Sequence, residues 1–156
     1  MLNTAIDEID CAILTHLQNN GRLTNADLAE KVNLSPSATL RRVRLLEEAC
    51  VIEGYVMLVN QKAIGKPTNI FVEVALNSQS EVQLNTFENA VEACPEIMEC
   101  YLMSGDSDYL LRVVVSDTAD YERVHKEYLS RLPNVSRIKS NFALRTVCKK
   151  TAFPLS

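Results

Sequence analysis

Between residues 70 and 147 the chain runs strand, helix, strand twice over, the second pass offset from the first by about 39 residues. Ile70 to Leu76 reads as a strand; Leu84, Phe87, Val91 and Cys94 recur at helical spacing; Pro95-Glu96 then turns into a strand from Ile97 to Met103. Tyr109 to Val115 is again strand-like, Tyr121, Val124, Tyr128 and Leu132 mark a second helix, and Pro133-Asn134 turns into a strand from Val135 to Val147. Two consecutive β-α-β units predict a ferredoxin-like arrangement, an antiparallel four-stranded sheet with both helices on one face. The strands carry apolar residues at nearly every position, as in a sheet covered on both sides. A domain of roughly 80 residues buries little surface alone. Edges and an uncovered face therefore predict dimerisation or higher assembly.

The first fifty residues follow a different period. Ile6, Ile9, Ile13 and Leu17 are spaced as one face of a helix that ends at Asn20-Gly21. Thr24 suits the cap of a second helix, with Asp27 favouring its N-terminus and Leu28, Ala29 and Val32 as its buried stripe. Asn33 tolerates the left-handed turn that stops it. Ser35 is then a cap and Pro36 a first helical residue for a third helix, whose inner stripe reads Leu40, Val43 and Leu46. Two short helices joined by a tight turn form a helix-turn-helix. The outer side of the third helix, by this reading, carries Ser37, Ala38, Thr39, Arg41, Arg42, Arg44 and Leu45, with Ser35 at its entry. Small groups there permit close approach to base edges, and arginines bind phosphates or guanine.

Charge sharpens this reading. The chain has 16 basic and 20 acidic residues, a net charge of -4, so nothing draws nucleic acid or anionic membrane from a distance. Yet Ser35 to Leu46 holds three arginines and no acid, and Arg137 to Ser156 holds five basic residues and no acid. Five dispersed cysteines, an odd number, predict reduced thiols used mainly for packing, and His16 and His125 lack partners at metal-ligand spacing. The longest apolar run, Tyr55 to Val59, is far short of the roughly 20 residues of a membrane span. The N-terminus has no secretion-signal pattern, which predicts a cytoplasmic chain without metal or membrane.

A Gly-Asp hairpin, Met103 to Leu111, links the two repeats. Hairpin chemistry accounts for Gly105 through positive φ, but two aspartates beside an apolar wall invite a second reading. A free amino acid is a zwitterion, whose carboxylate needs N–H donors and whose ammonium needs carboxylates or carbonyls. Asp106 and Asp108 suit the ammonium, with Leu102, Met103 and Tyr109 near the side chain; an ordinary solvated hairpin is the alternative.

The run Ile9-Asp10 through Leu17, then Leu34-Ser35-Pro36, Arg42 to Glu47, Ile52 to Tyr55, Ser104 to Leu111 and Arg131 to Val135, resembles the Lrp/AsnC family of bacterial and archaeal transcription regulators. The Gly-Asp-x-Asp-Tyr-Leu turn resembles its leucine-responsive branch. The resemblance implies an α+β protein in three parts: a helix-turn-helix, winged-helix-like reader over residues 1–54, a connecting strand and linker over 55–68 that helps pair two chains, and a ferredoxin-like βαββαβ domain of the RAM or ACT type over 69–156. It implies dimers assembling into octamers or other multimers, double-stranded DNA as partner, nucleoid association, no cofactor, and an amino-acid effector, leucine or methionine, held between dimers. The implied effector positions are Leu102, Met103, Ser104, Gly105, Asp106, Asp108 and Tyr109, with Thr118, Phe142 and Ala143 by collinear spacing. Leu45 departs from the polar or basic residue common in relatives. Two other readings stay open: a winged-helix adaptor that binds a protein, and a tetrapyrrole-processing enzyme of related fold, against which the isolated histidines argue.

Overall fold

A computed structural model describes residues 6–155, and the chain divides into two units, one running to Leu58 and resuming at Val147, the other Val59–Thr146. In the first unit, helix α1 (Glu8–Asn19) is opened by Asp7, which accepts a hydrogen bond from Asp10 N at 2.8 Å. Ile6 therefore lies outside the helix and is substantially exposed. Thr24 caps α2 (Asn25–Lys31) through Asp27 N, and Asn33 takes the left-handed conformation at φ 53°. Ser35 caps α3 (Pro36–Glu48) through Ala38 N, with Pro36 in its first turn. The three helices enclose Ile13, Leu14, Leu28 and Leu46, with Ile9, Leu17, Val32, Val43, Val51 and Ile52 around them.

The inner stripe of α3 is not the expected one. Thr39 is fully buried while Leu40 is 39% exposed, so the helix is rolled to present Thr39, Val43 and Leu46 inward. Thr39 tolerates this because its hydroxyl donates to Ser35 O at 3.1 Å, satisfying the one polar group that burial would strand.

In the second unit, β1 (Thr68–Leu76), α4 (Glu81–Glu92), β2 (Ile97–Leu102), β3 (Tyr109–Val115), α5 (Thr118–Glu127) and β4 (Val135–Phe142) follow in order, with a 3-10 turn at Leu129–Arg131. The sheet order is β2-β3-β1-β4 with every neighbouring pair antiparallel. This is the anticipated ferredoxin-like topology. Ile70, Val72 and Val74 of β1 and Tyr109, Leu111, Val113 and Val115 of β3 alternate onto one face, where Phe87 and Val91 of α4 and Tyr121 and Val124 of α5 cover them.

The opposite face is more polar than the sequence implied. Lys139 pairs with Glu73 at 3.2 Å and Arg112 with Glu99 at 2.7 Å, and exposed Phe71 and Tyr101 share this face. Ladder neighbours set opposite charges directly across from one another, Glu73 facing Lys139 and Glu99 facing Arg112.

Four further expectations change. Tyr55 to Val59 is not a strand in this single chain, because no neighbouring segment offers it a ladder; all five side chains are at least half exposed. The last strand stops at Phe142, five residues earlier than expected. The tail from Val147 groups with the helical unit rather than with residues 69–146, because the Gln18 side chain accepts from Phe153 N at 2.7 Å and donates to Phe153 O at 3.1 Å. Phe153 and Leu155 there line an apolar groove with Leu14, Leu17, Ile52 and Tyr55. The cysteines form no disulfide; Cys94 is buried and Cys11 and Cys100 partly so, but Cys50 and Cys148 are exposed rather than packed.

Candidate DNA interface and effector turn

Helix α3 presents Ser37, Arg41, Arg44 and Leu45 on its exposed side, with Leu40 and Glu48 lining the same shallow depression. Among the described residues neither Arg41 nor Arg44 has a carboxylate partner, which leaves both guanidinium groups available to an external anion. Ser35 spends its hydroxyl on the cap and a 3.2 Å contact with Ser37, while Ala38 is half-buried beneath it. The structure sets two of the expected reading residues aside. Thr39 is sealed in the core, as described above. Arg42 points back at α1, where Nη1 donates to Asp7 Oδ2 and Asp10 Oδ1, each at 2.8 Å.

That cluster is closed on itself. Asp7 and Asp10 already bond each other's backbone N–H as a capping box, which fixes both carboxylates at the positive end of α1. The Asp10 backbone N–H, then the Arg42 guanidinium, hold the Asp7 carboxyl below its usual range. Sequence reading missed Asp7 and Asp10 because their partner is more than thirty residues away, although the Asp7-x-x-Asp10 spacing itself signals a capping box.

The Gly-Asp turn spans the gap between β2 and β3 and is closed by Met103 N donating to Asp108 O at 2.8 Å. Asp108 is its fastening. Its backbone N–H donates to Val74 O, and its carboxylate accepts from Leu76 N at 2.6 Å and from Gln79 Nε2 at 2.6 Å. The carboxylate thus ties the hairpin to the end of β1, a role that turn composition did not reveal. Asp106 and Ser104 are exposed, as are Leu102 and Met103.

Gly105 does not occupy the left-handed region, contrary to the turn argument, and an added Cβ would meet nothing within 4 Å. Neither backbone conformation nor packing within this chain requires glycine there. Tyr109 lies away from the turn's open side. It has the same strand parity as Leu111 and Val113, so it is buried against Phe87 at 4.5 Å between ring centroids and donates to Glu88 at 2.7 Å. Burial and the Glu88 carboxylate push its phenol well above the ordinary range. Cys100 is raised to about 11, chiefly by burial and then by Glu88.

The remaining expected effector residues are elsewhere. Exposed Thr118 opens α5, Phe142 ends β4 with its ring against Tyr121 at 5.3 Å, and Ala143 N donates to Asn69 O. In the ladder, Phe142 pairs with Ile70 and Val115 with Thr68, whereas the turn precedes Tyr109, which pairs with Val74. Four to six residue steps along the ladder separate the two groups, about 13–20 Å at strand rise. One protomer therefore carries the two halves of the expected site at opposite ends of its sheet.

Sequence comparison identifies relatives for both units. The Lrp/AsnC ligand binding domain family matches residues 69–153, and the AsnC-type helix-turn-helix domain matches residues 6–47. The Bkd operon transcriptional regulator of Pseudomonas aeruginosa is 43% identical over 150 residues, 96% of this chain and 98% of that protein. The leucine-responsive regulatory protein of Haemophilus influenzae is 41% identical over 151 residues, 97% of this chain and 90% of that protein. A transcriptional regulator of Neisseria meningitidis, solved as an L-Met complex, superposes with a TM-score of 0.89 at 32% identity, covering 95% of this chain and 96% of that one.

Proposed function

The chain belongs to the Lrp/AsnC family of transcription regulators, and from that premise we propose that leucine or methionine, bound between copies of the chain, controls its assembly and its grip on DNA. As a member of this family it is a transcription regulator that binds DNA through its helix-turn-helix unit. Ser37, Ala38, Arg41 and Arg44 of α3 are the residues we assign to DNA, with Ser35 setting the helix entry.

The single observation that carries the effector reading is the separation of Thr118, Phe142 and Ala143 from the turn at Gly105, Asp106 and Asp108. A ligand of amino-acid size cannot bridge about 13–20 Å within one sheet, but the turn of one copy can meet the α5 end of another. Ligand binding is then linked to assembly, because a ligand completed by two copies shifts the equilibrium by its differential affinity. Gly105 fits this arrangement: its open surroundings leave room for a close approach from outside the chain. Exposed Leu102 and Met103 offer an apolar wall, and exposed Asp106 a carboxylate for the ammonium. Methionine in the Neisseria relative's complex supports an apolar effector.

Assembly beyond the dimer, to an octamer or another multimer, joins several DNA modules and raises avidity in a chain whose net charge is -4. The run Tyr55 to Val59 is the segment we assign to pairing two chains, since its apolar side chains and unpaired backbone are both unsatisfied in one copy. We assign the protein to the bacterial or archaeal cytoplasm, associated with the nucleoid, and ascribe no catalysis to it.

Thermal denaturation with each of the twenty amino acids tests the effector reading. Selective binding at about 100 times Kd stabilises the native assembly by about 2.7 kcal/mol. A rise with leucine or methionine, accompanied by altered sedimentation, is the expected result. An unchanged melting temperature with all twenty refutes amino-acid sensing while leaving the DNA reader intact.

A further inference from the structure

We propose that Arg42 is a positioning residue for DNA reading: by bridging Asp7 and Asp10 it locks the roll of α3, and it makes no contact with DNA itself. The proposal rests on α3 being the helix that meets DNA. Arg42 lies midway along α3, and its side chain is only 23% exposed. One guanidinium nitrogen is shared by two carboxylates that the capping box has already immobilised, Asp10 being 8% exposed. A side chain committed in this way, in a chain with free arginines one residue before it and two after it, is poorly placed to be a phosphate ligand.

Roll is the coordinate that needs fixing. Among the described residues α3 fully buries only Thr39 and Leu46, with Val43 partly buried beside them. With side chains at about 5 to 6 Å from the helix axis, a roll of about 20° moves their tips by about 2 Å. That exceeds the distance tolerance of a hydrogen bond to a base edge. An ion pair between α1 and α3 stops this rotation, and Thr39, bonded to Ser35 O inside the core, marks the same setting from within.

The two kinds of arginine differ in what their loss does to the salt dependence. Removing a phosphate ligand lowers the slope of log affinity against log salt by about 0.9, whereas removing a positioning group leaves the slope alone. The assay uses full-length protein and duplexes selected from random sequence by the parent protein, with affinity measured by fluorescence anisotropy across a salt series. Arg42→Ala is expected to weaken binding about tenfold, the scale of one charge-assisted hydrogen bond, with the parental slope.

Asp10→Asn is the sharper test. It removes a negative charge near the DNA face, so electrostatics alone predicts tighter binding, while loss of the clamp predicts weaker binding. Adding Asp10→Asn to Arg42→Ala is expected to produce little further loss, since the two act as a unit.

A reduced slope in Arg42→Ala, or tighter binding by Asp10→Asn, overturns the proposal. If Arg42→Ala fails to fold, as circular dichroism will reveal, the milder Asp7→Asn carries the same sign test. Arg41→Ala separates the underlying premise: unchanged affinity and slope in Arg41→Ala and Arg44→Ala would mean that α3 does not meet DNA at all.

Discussion

Replacing Asp108 separates folding from sensing. In Asp108→Ala the carboxylate that accepts from Leu76 N and Gln79 Nε2 disappears, leaving a half-buried backbone N–H at the end of β1 without its partner. Gln79 is exposed and recovers its bond from water, so most of the loss comes from Leu76. A hydrogen bond to a charged group is worth about 1.5–3 kcal/mol, which sets the expected destabilisation of the second unit. For a unit of this size about 1 kcal/mol corresponds to a fall of roughly 4–8 °C in melting temperature. Asp108→Asn keeps an acceptor for Leu76 N while losing the charge, and is expected to cost about half as much. Far-UV circular dichroism in urea, at matched protein concentration, measures both variants. A change below about 0.5 kcal/mol in Asp108→Ala, the ordinary range for surface substitutions, would refute the bracing role. Asp106→Asn provides the complementary measurement: Asp106 is exposed, so its stability is expected to match the parent while amino-acid binding weakens.

Other perturbations give equally definite outcomes. Arg41→Ala and Arg44→Ala should each weaken DNA binding and reduce the salt slope by about 0.9 for every phosphate no longer neutralised, as read by anisotropy titrations in increasing salt. Phe87→Ala removes a fully buried ring packed at a tilt against Tyr109 and should destabilise the second unit by about 3–5 kcal/mol in urea denaturation. Acid should also loosen this unit. Asp120 is held down to about 2 by Ser116 N and then Arg123, so its stabilisation is complete above the unfolded value near 4 and is lost as pH falls toward 2. Asp120→Asn should flatten the pH dependence of melting temperature across that interval.

The local chemistry of the helical unit was legible residue by residue. Thr24 and Ser35 cap the helices whose starts they announced, and Asn33 turns left-handed where a stop was needed. The repeated strand and helix periods specified the sheet topology because each element's pattern is contained within its own span. What escaped depended on partners distant in sequence. Arg42 looks like any other arginine on α3 until Asp7 and Asp10 are folded against it. Thr39 is polar by composition, yet one bond to Ser35 O makes it a core residue. Asp108 looks like a free carboxylate until β1 arrives beneath it. Tyr109 was readable in principle, since alternation with Leu111 and Val113 assigns it to the helix-covered face. That alternation sets its ring against Phe87 rather than at the open side of the turn.

The return of the tail to the helical unit makes that unit discontinuous in sequence, while Val59–Thr146 is a single uninterrupted stretch. The two are therefore unequal as building blocks. The sheet unit can be cut out or transplanted as one segment, whereas a fragment ending at Leu58 leaves Gln18 without Phe153 and the groove along α1 unfilled. A chimaera made to give this DNA reader a different sensor should insert the foreign sensor between Leu58 and Val147, keeping both flanks from the same parent. A simple fusion after residue 58 would separate the reader from its own last strap of chain.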